Sequence, residues 1–192
     1  QISSEVTIVF AGRVNREKGI DLLIQAVDRL CRSYKIRVMI IGPTDIRNGG
    51  SGEKYVQELN EYAHGWSIDW VDSIYNAKEL AAKMSEGQIF CYPSVADTGE
   101  TFGVAPLESM GLGMVPIVSG LKCFEEFVEN GENCMVFDHK AENAVELLAE
   151  NILYLINNPK RFEQMSMNAI LTSKKLDIKT IADMYMSVLS SK

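Results

Sequence analysis

Runs of apolar, mostly β-branched residues alternate along most of this chain with segments of helical periodicity. The run at 6–12, VTIVFAG, lacks polar alternation and ends in glycine, which is typical of a strand buried on both faces. The segment at 18–34 follows with apolar residues three and four positions apart, as in an amphipathic helix. Strands that alternate with helices need crossover connections, so the pattern predicts an α/β fold with a doubly wound parallel sheet.

The same alternation continues to residue 138. Further strands are predicted at 37–42, 67–71, 87–93, 114–119 and 133–138, and further helices at 52–63, 76–86, about 104–112 and 123–130. The strand pattern then stops, and C-terminal helices are predicted at 141–159, 160–171 and 177–191, with Pro159 separating the first two. The glycine-rich stretch at 44–54 has the composition of a flexible lid or linker.

Length and charge limit the classes of protein to consider. A chain of 192 residues predicts one domain over residues 1–192, and its formal charge of −7 argues against a nucleic-acid partner. No apolar run approaches the 18 or more residues of a transmembrane helix. The four cysteines show no C-x-x-C spacing and lie among apolar residues, which predicts reduced, mostly buried thiols of a cytoplasmic protein. Because the chain opens on Gln1 rather than Met, we expect an excised domain.

The loop after the first strand, in AGRVNREKGIDLL, carries two cations. Arg13 follows the strand-ending Gly12, and Lys18 opens the predicted helix. Ligands of such sheets bind at the carboxyl ends of the strands, and a cation at a helix amino end suggests a shared anion such as a diphosphate. The alternative is a set of solvated loop charges. The G-x-G-x-x-G turn of nicotinamide dinucleotide sites is absent, which disfavours that ligand.

The segment VADTGETFGVAPLESMG, at 95–111, holds two glutamates eight positions apart. Gly103 allows backbone amides to approach a ligand, and Pro106 suits the first turn of a helix whose amino end would face phosphate oxygens. Glu108, one turn into the helix, could accept hydrogen bonds from ribose hydroxyls, and Glu100 from another set of hydroxyls. The alternative is a helix N-terminal charge and a solvent-facing helix residue. A fully helical segment would separate the two carboxylates by about 12 Å, beyond the spacing of a glycosidase pair.

These two loops, together with IIGP at 40–43 and EEFVENGEN at 125–133, resemble a known family. The chain looks like the C-terminal, donor-binding domain of a GT-B glycosyltransferase of family 4, a retaining group. The resemblance covers residues 6–157. The E-x7-E pair and the GR-x4-KG element carry most of it.

The resemblance implies that Arg13 and Lys18 hold the donor pyrophosphate and that Glu108 binds the ribose. It also implies that Glu100 and the backbone of 102–104 hold the transferred sugar and the distal phosphate. Catalytic roles fall to Glu100, Arg13 and Lys18. The implied donor-binding set is Gly12, Arg13, Lys18, Gly42, Pro43, Val71, Glu100, Thr101, Phe102, Gly103, Val104 and Glu108.

By the same resemblance the donor is a UDP-sugar or GDP-sugar, transferred with retention of configuration to a glycan or lipid, as in polysaccharide biosynthesis, without a metal or other cofactor. The acceptor would bind to a separate N-terminal domain that this chain lacks. The isolated chain would therefore be weakly active or inactive. We expect a cytoplasmic protein, and the missing domain would allow peripheral contact with the inner face of a membrane. Two alternatives stay open: a non-catalytic nucleotide-sugar binding or regulatory module, and a GT-B relative such as a sugar-nucleotide epimerase or a phosphorylase.

Overall fold

A computed structural model describes residues 5–177, in which six strands form one parallel sheet flanked by helices. The sheet order is β3-β2-β1-β4-β5-β6, and every neighbouring pair is parallel. The predicted doubly wound α/β class is confirmed. The strands are β1 (Val6–Ala11), β2 (Ile36–Ile41), β3 (Ile68–Val71), β4 (Ile89–Tyr92), β5 (Val115–Ser119) and β6 (Met135–Phe137).

Within residues 5–177, six α-helices and three 3₁₀ helices connect and follow the strands. The α-helices are α1 (Ile20–Leu30), α2 (Glu53–Glu61), α3 (Ala77–Met84), α4 (Val104–Gly111), α5 (Ala144–Asn157) and α6 (Pro159–Lys175), and the 3₁₀ helices are Arg16–Lys18, Ile46–Asn48 and Lys122–Phe124. Pro159 is the first residue of α6, where its missing N–H costs nothing, so the predicted boundary between the first two closing helices is confirmed. The third predicted closing helix, at 177–191, lies outside the described residues except for its first position.

The position of each strand explains its composition. All residues of β1, β4 and β5, three of the internal strands, are buried, as is typical of a parallel sheet whose two faces are covered by helices. The strand order reverses between β1 and β4, so their following loops diverge at the carboxyl edge and leave a crevice there. The loops after β1 and β4, which border this crevice, carry Arg13 and Glu100.

The glycine-rich stretch at 44–54 differs from the predicted lid or linker. It folds into the 3₁₀ helix Ile46–Asn48 and closes on itself, since the amide of Gly52 donates to the carbonyl of Thr44 at 2.8 Å. The amide of Ser51 donates to the carbonyl of Val14 at 2.9 Å, which ties the stretch to the loop after β1. Its glycines are therefore part of a compact, hydrogen-bonded turn and not of a flexible linker.

The helix predicted at 123–130 is wrong in length, since only Lys122–Phe124 is helical there. The side chain of Asn133 forms hydrogen bonds with backbone groups that a longer helix would pair with each other. It donates to the carbonyl of Phe127 and accepts from the amide of Glu129, each at 2.8 Å. This side-chain competition for the backbone ends the helix after one turn.

The cysteines are all free, and no helix within residues 5–177 combines the length and apolarity needed to cross a bilayer. Burial raises the pKa of the Cys91 and Cys134 thiols, both of which lie in the core. Cys31 and Cys123 are partly exposed. The prediction of buried thiols is thus confirmed for two of the four.

Candidate functional site

Two adjoining cavities open at the carboxyl edge of the sheet. The larger has a volume of about 520 Å³ and the smaller of about 340 Å³. Both are lined by Ala11, Gly12, Arg13 and Ala105, so they form one cleft with the loop after β1 at its centre. This is the edge at which sheets of this kind bind ligands.

The larger cavity is mostly apolar and lies over the ends of β1 and β2, between the loop after β3 and helices α3 and α4. Of the predicted residues it includes Gly12, Arg13, Gly42, Pro43 and Glu108. Its lining also contains residues that the sequence reasoning missed: Asn48, Ser73, Ile74, Tyr75, Leu80 and Met84. Residues 73–75 lie in the loop after β3, so the strand-end rule could have found them, whereas Leu80 and Met84 lie within α3.

The smaller cavity lies between the loops after β1 and β4. The structure brings together there the predicted residues Gly12, Arg13, Lys18, Glu100, Thr101, Gly103 and Val104. Tyr92, a residue of β4 that the sequence reasoning did not single out, also lines it. Two predicted residues line neither cavity: Val71, whose carbonyl accepts from the amide of Gly42 at 3.1 Å, and Phe102, whose ring packs 5.5 Å from that of Phe127.

Lys18 is held in place by contacts between the loops after β1 and β4. It ends a 3₁₀ helix rather than opening α1, because Gly19 adopts a left-handed conformation with φ 62° between the two. The carbonyl of Glu17 accepts hydrogen bonds from Ser94 Oγ at 3.1 Å and from the amide of Val95 at 2.9 Å. Lys18 is therefore fixed against the loop that carries Glu100.

The Lys18 ammonium and the Glu100 carboxylate form a largely buried ion pair. Lys18 Nζ lies 2.6 Å from Glu100 Oε1, with side chains 7% and 11% exposed. The Tyr92 hydroxyl donates to the same oxygen at 3.3 Å, and its ring centroid is 5.2 Å from Nζ. Burial disfavours the charged ammonium, but the hydrogen bonds with Glu100 and Tyr92 outweigh that effect and raise the pKa of Lys18, so the group is charged at neutral pH.

Arg13 is the second cation of the cleft, and its side chain is 53% exposed. Its guanidinium lies 3.5 Å from Glu17 Oε1, a separation that corresponds to a weak surface ion pair. The side chain crosses Gly49, where a Cβ would lie 2.8 Å from Arg13 Cδ. Because Gly49 has no side chain, Arg13 reaches along the cleft and borders both cavities.

The amino end of α4 opens onto the smaller cavity. Gly103 is its N-cap with φ 76°, and no side chain caps the helix. The amides of the first turn have no partner within a helix, and Pro106 lies in that turn, where its lack of an N–H is tolerated, as predicted. Since α4 begins at Val104, the segment between Glu100 and Glu108 is only partly helical.

Glu108 lies one turn into α4 and lines the larger cavity, on the other side of Ala105 from Glu100. Partial removal from water raises the pKa of its carboxyl. The cleft thus has Arg13 where the two cavities join, the Lys18–Glu100 pair and the amino end of α4 in the smaller cavity, and Glu108 in the larger. Such an arrangement suits an elongated ligand with a central anion and hydroxyl groups on both sides.

This fold and this cleft define a doubly wound α/β domain with a ligand-sized cleft at the carboxyl edge of its sheet, and sequence comparison shows its family. The model of the family described as glycosyl transferases group 1 matches residues 2–172. The chain belongs to that family. An uncharacterized glycosyltransferase of Haemophilus influenzae is 28% identical over 189 residues, which are 95% of this chain and 48% of the relative. A Mycobacterium tuberculosis protein named GDP-mannose-dependent alpha-(1-6)-phosphatidylinositol dimannoside mannosyltransferase is 25% identical over 159 residues, 82% of this chain and 37% of the relative.

Solved structures with the same fold include Anabaena HepE in complex with UDP. It superposes with a TM-score of 0.80 at 20% identity, over 100% of this chain and 50% of that one. The fold is therefore that of a GT-B glycosyltransferase domain. The chain spans about half the length of the H. influenzae relative and of HepE.

Proposed function

We propose that this chain is the donor-binding domain of a retaining glycosyltransferase of family 4, which transfers a hexose from a nucleoside diphosphate sugar to a glycan or lipid acceptor. One observation carries the proposal. Arg13 lines both cavities, the Lys18–Glu100 pair lies in the smaller one beside the amino end of α4, and Glu108 lies in the larger one. A nucleoside diphosphate sugar has the matching order of hydroxyls, diphosphate and hydroxyls.

The diphosphate is assigned to the centre of the cleft. Arg13, Lys18 and the first amides of α4 would donate to its oxygens and stabilise the negative charge that develops on it as the sugar leaves. Charge-assisted hydrogen bonds of this kind contribute about 1.5–3 kcal/mol each. Arg13 and the first amides of α4 already border the smaller cavity, whereas Lys18 would have to exchange its bond to Glu100 for one to the diphosphate.

The nucleoside is assigned to the larger cavity and the sugar to the smaller one. A volume of about 520 Å³ lies within the usual range for ligand sites, and its apolar lining suits the faces of a base. Glu108 would bind the ribose hydroxyls, while Gly42 and Pro43 would border the base. Glu100, with the backbone around Gly103, would bind the sugar hydroxyls.

The donor base is proposed as uracil or guanine, because the mycobacterial relative is named as GDP-mannose-dependent and HepE was solved with UDP.

We assign acceptor binding to a further N-terminal domain of a longer protein, since the chain covers about half of the H. influenzae relative and of HepE. Transfer needs an oriented acceptor and a cleft closed to water, so the isolated chain would turn over little. We further propose a cytoplasmic enzyme in which that second domain contacts the membrane when the acceptor is a lipid.

A thermal-shift panel with UDP, GDP, ADP, UDP-glucose, GDP-mannose and NAD tests this function. A ligand at ten times its dissociation constant stabilises the folded state by about 1.4 kcal/mol. For a domain of this size we expect a rise in melting temperature of roughly 3–6 °C with UDP or GDP and none with NAD. A shift with NAD and none with any nucleoside diphosphate would refute the assignment.

A further inference from the structure

The Lys18–Glu100 pair is a structural feature that the proposed roles of the two residues do not explain. Nζ and Oε1 lie 2.6 Å apart, and Nζ also reaches Oε2 at 3.1 Å, so the ammonium is engaged with both carboxylate oxygens. The two residues are 82 positions apart in sequence and meet only through the fold. A diphosphate at the centre of the cleft would have to compete with Glu100 for this lysine.

Moving Lys18 toward a diphosphate would leave Glu100 poorly compensated. Its side chain is 11% exposed, and the remaining donor given by the described structure is the Tyr92 hydroxyl at 3.3 Å. Tyr92 itself is held by stacking on Phe10, with ring centroids 5.6 Å apart and an interplanar angle of 8°. A buried carboxylate that loses its partner is strongly destabilised, so the exchange needs a new donor to Glu100.

We propose that Lys18 and Glu100 form an exchangeable pair that makes the site prefer an intact sugar nucleotide over the nucleoside diphosphate product. This rests on the proposed function. The sugar of an intact donor supplies hydroxyl donors to Glu100 as Lys18 moves to the diphosphate. Once the sugar has been transferred, Glu100 lacks that partner and competes with the diphosphate for Lys18, which favours product release.

The test is isothermal titration of the parent chain and the Glu100→Gln variant with UDP and with UDP-glucose, and with GDP and GDP-mannose as a second pair. Glutamine is nearly isosteric but removes the charge that competes for Lys18. We expect Glu100→Gln to bind the free diphosphate about tenfold more tightly, while the sugar nucleotide gains less or loses affinity. An unchanged or weaker affinity for the free diphosphate would overturn the proposal.

Two further variants separate the exchange from simpler causes. Asp97→Asn removes a charge from the same loop, but Asp97 pairs with Lys140 at 2.8 Å rather than with Lys18. We expect it to change UDP affinity by less than about twofold, and tightening equal to that of Glu100→Gln would refute the exchange. If Glu100→Gln fails to fold, Glu100→Asp shortens the carboxylate and should also tighten UDP binding, by a smaller factor.

The two proposals fail in different ways. A parent chain that binds neither UDP nor GDP contradicts the proposed function, and the exchange falls with it. A parent chain that binds UDP, together with a Glu100→Gln variant that binds it no more tightly, contradicts the exchange alone.

Discussion

Arg13→Ala is expected to weaken binding of UDP or GDP by about 10- to 150-fold, which corresponds to the loss of one charge-assisted contact worth about 1.5–3 kcal/mol. The folded state should be nearly unaffected, because Arg13 is 53% exposed and its one ion pair among the described residues, with Glu17, is long at 3.5 Å. The measurement is isothermal titration with the nucleotide that binds best, accompanied by the melting temperature of each variant.

The matched control is Arg16→Ala, in the same loop. Arg16 is 64% exposed, pairs with Glu58 and lines neither cavity. It should alter nucleotide affinity by less than about twofold. Equal losses in both variants would mean that only the net charge of the loop matters.

Lys18→Ala should also abolish most of the nucleotide-induced rise in melting temperature. It should lower the melting temperature without ligand as well, because Glu100 loses its partner.

Gly19→Ala is expected to cost about 3 kcal/mol or more of folding free energy, since two effects combine. Gly19 has φ 62°, which costs an alanine about 1–2 kcal/mol, and a Cβ there would lie 2.1 Å from the carbonyl oxygen of Pro93. The contact is with backbone, so a strand end must move. A drop in melting temperature of at least roughly 6 °C is expected by calorimetry.

Gly65→Ala is the control for conformation without the clash. Gly65 has φ 83°, and apart from its two chain neighbours no described residue lies within 4 Å of the position of its Cβ. This substitution should lower the folding free energy only by the cost of a left-handed alanine, about 1–2 kcal/mol. If both substitutions destabilise equally, the close approach of Gly19 to Pro93 does not constrain the fold. Gly19→Ala should also weaken nucleotide binding, because it displaces the neighbouring Lys18.

The fold class could be predicted because strands that are buried on both faces consist almost entirely of apolar and β-branched residues. All six residues of β1 are buried and all are apolar or, in the case of Thr7, β-branched. The loops that form the cleft could be predicted from the ends of the strands alone. The short helix near Phe124 and the compact turn at 44–54 could not be predicted, since each involves a hydrogen bond with a residue outside the segment. Asn133 donates to the carbonyl of Phe127, and the carbonyl of Val14 accepts from the amide of Ser51.

The candidate site was predicted only in part for a similar reason. Motif positions identified Arg13, Lys18, Glu100 and Glu108, but no local pattern shows that Lys18 and Glu100 contact each other across 82 positions. Tyr92 was missed because a tyrosine in an apolar strand has the pattern of a core residue. Only the packed sheet shows that its hydroxyl reaches the carboxylate of Glu100.

The central claim is that the diphosphate of a nucleotide binds between Arg13 and Lys18 at the amino end of α4. A crystal structure of the chain with UDP or GDP measures this directly. The account predicts phosphate oxygens within hydrogen-bond distance of both cations and of the first amides of α4, with Glu108 on the ribose. A diphosphate bound elsewhere, with Lys18 still paired to Glu100, would contradict it.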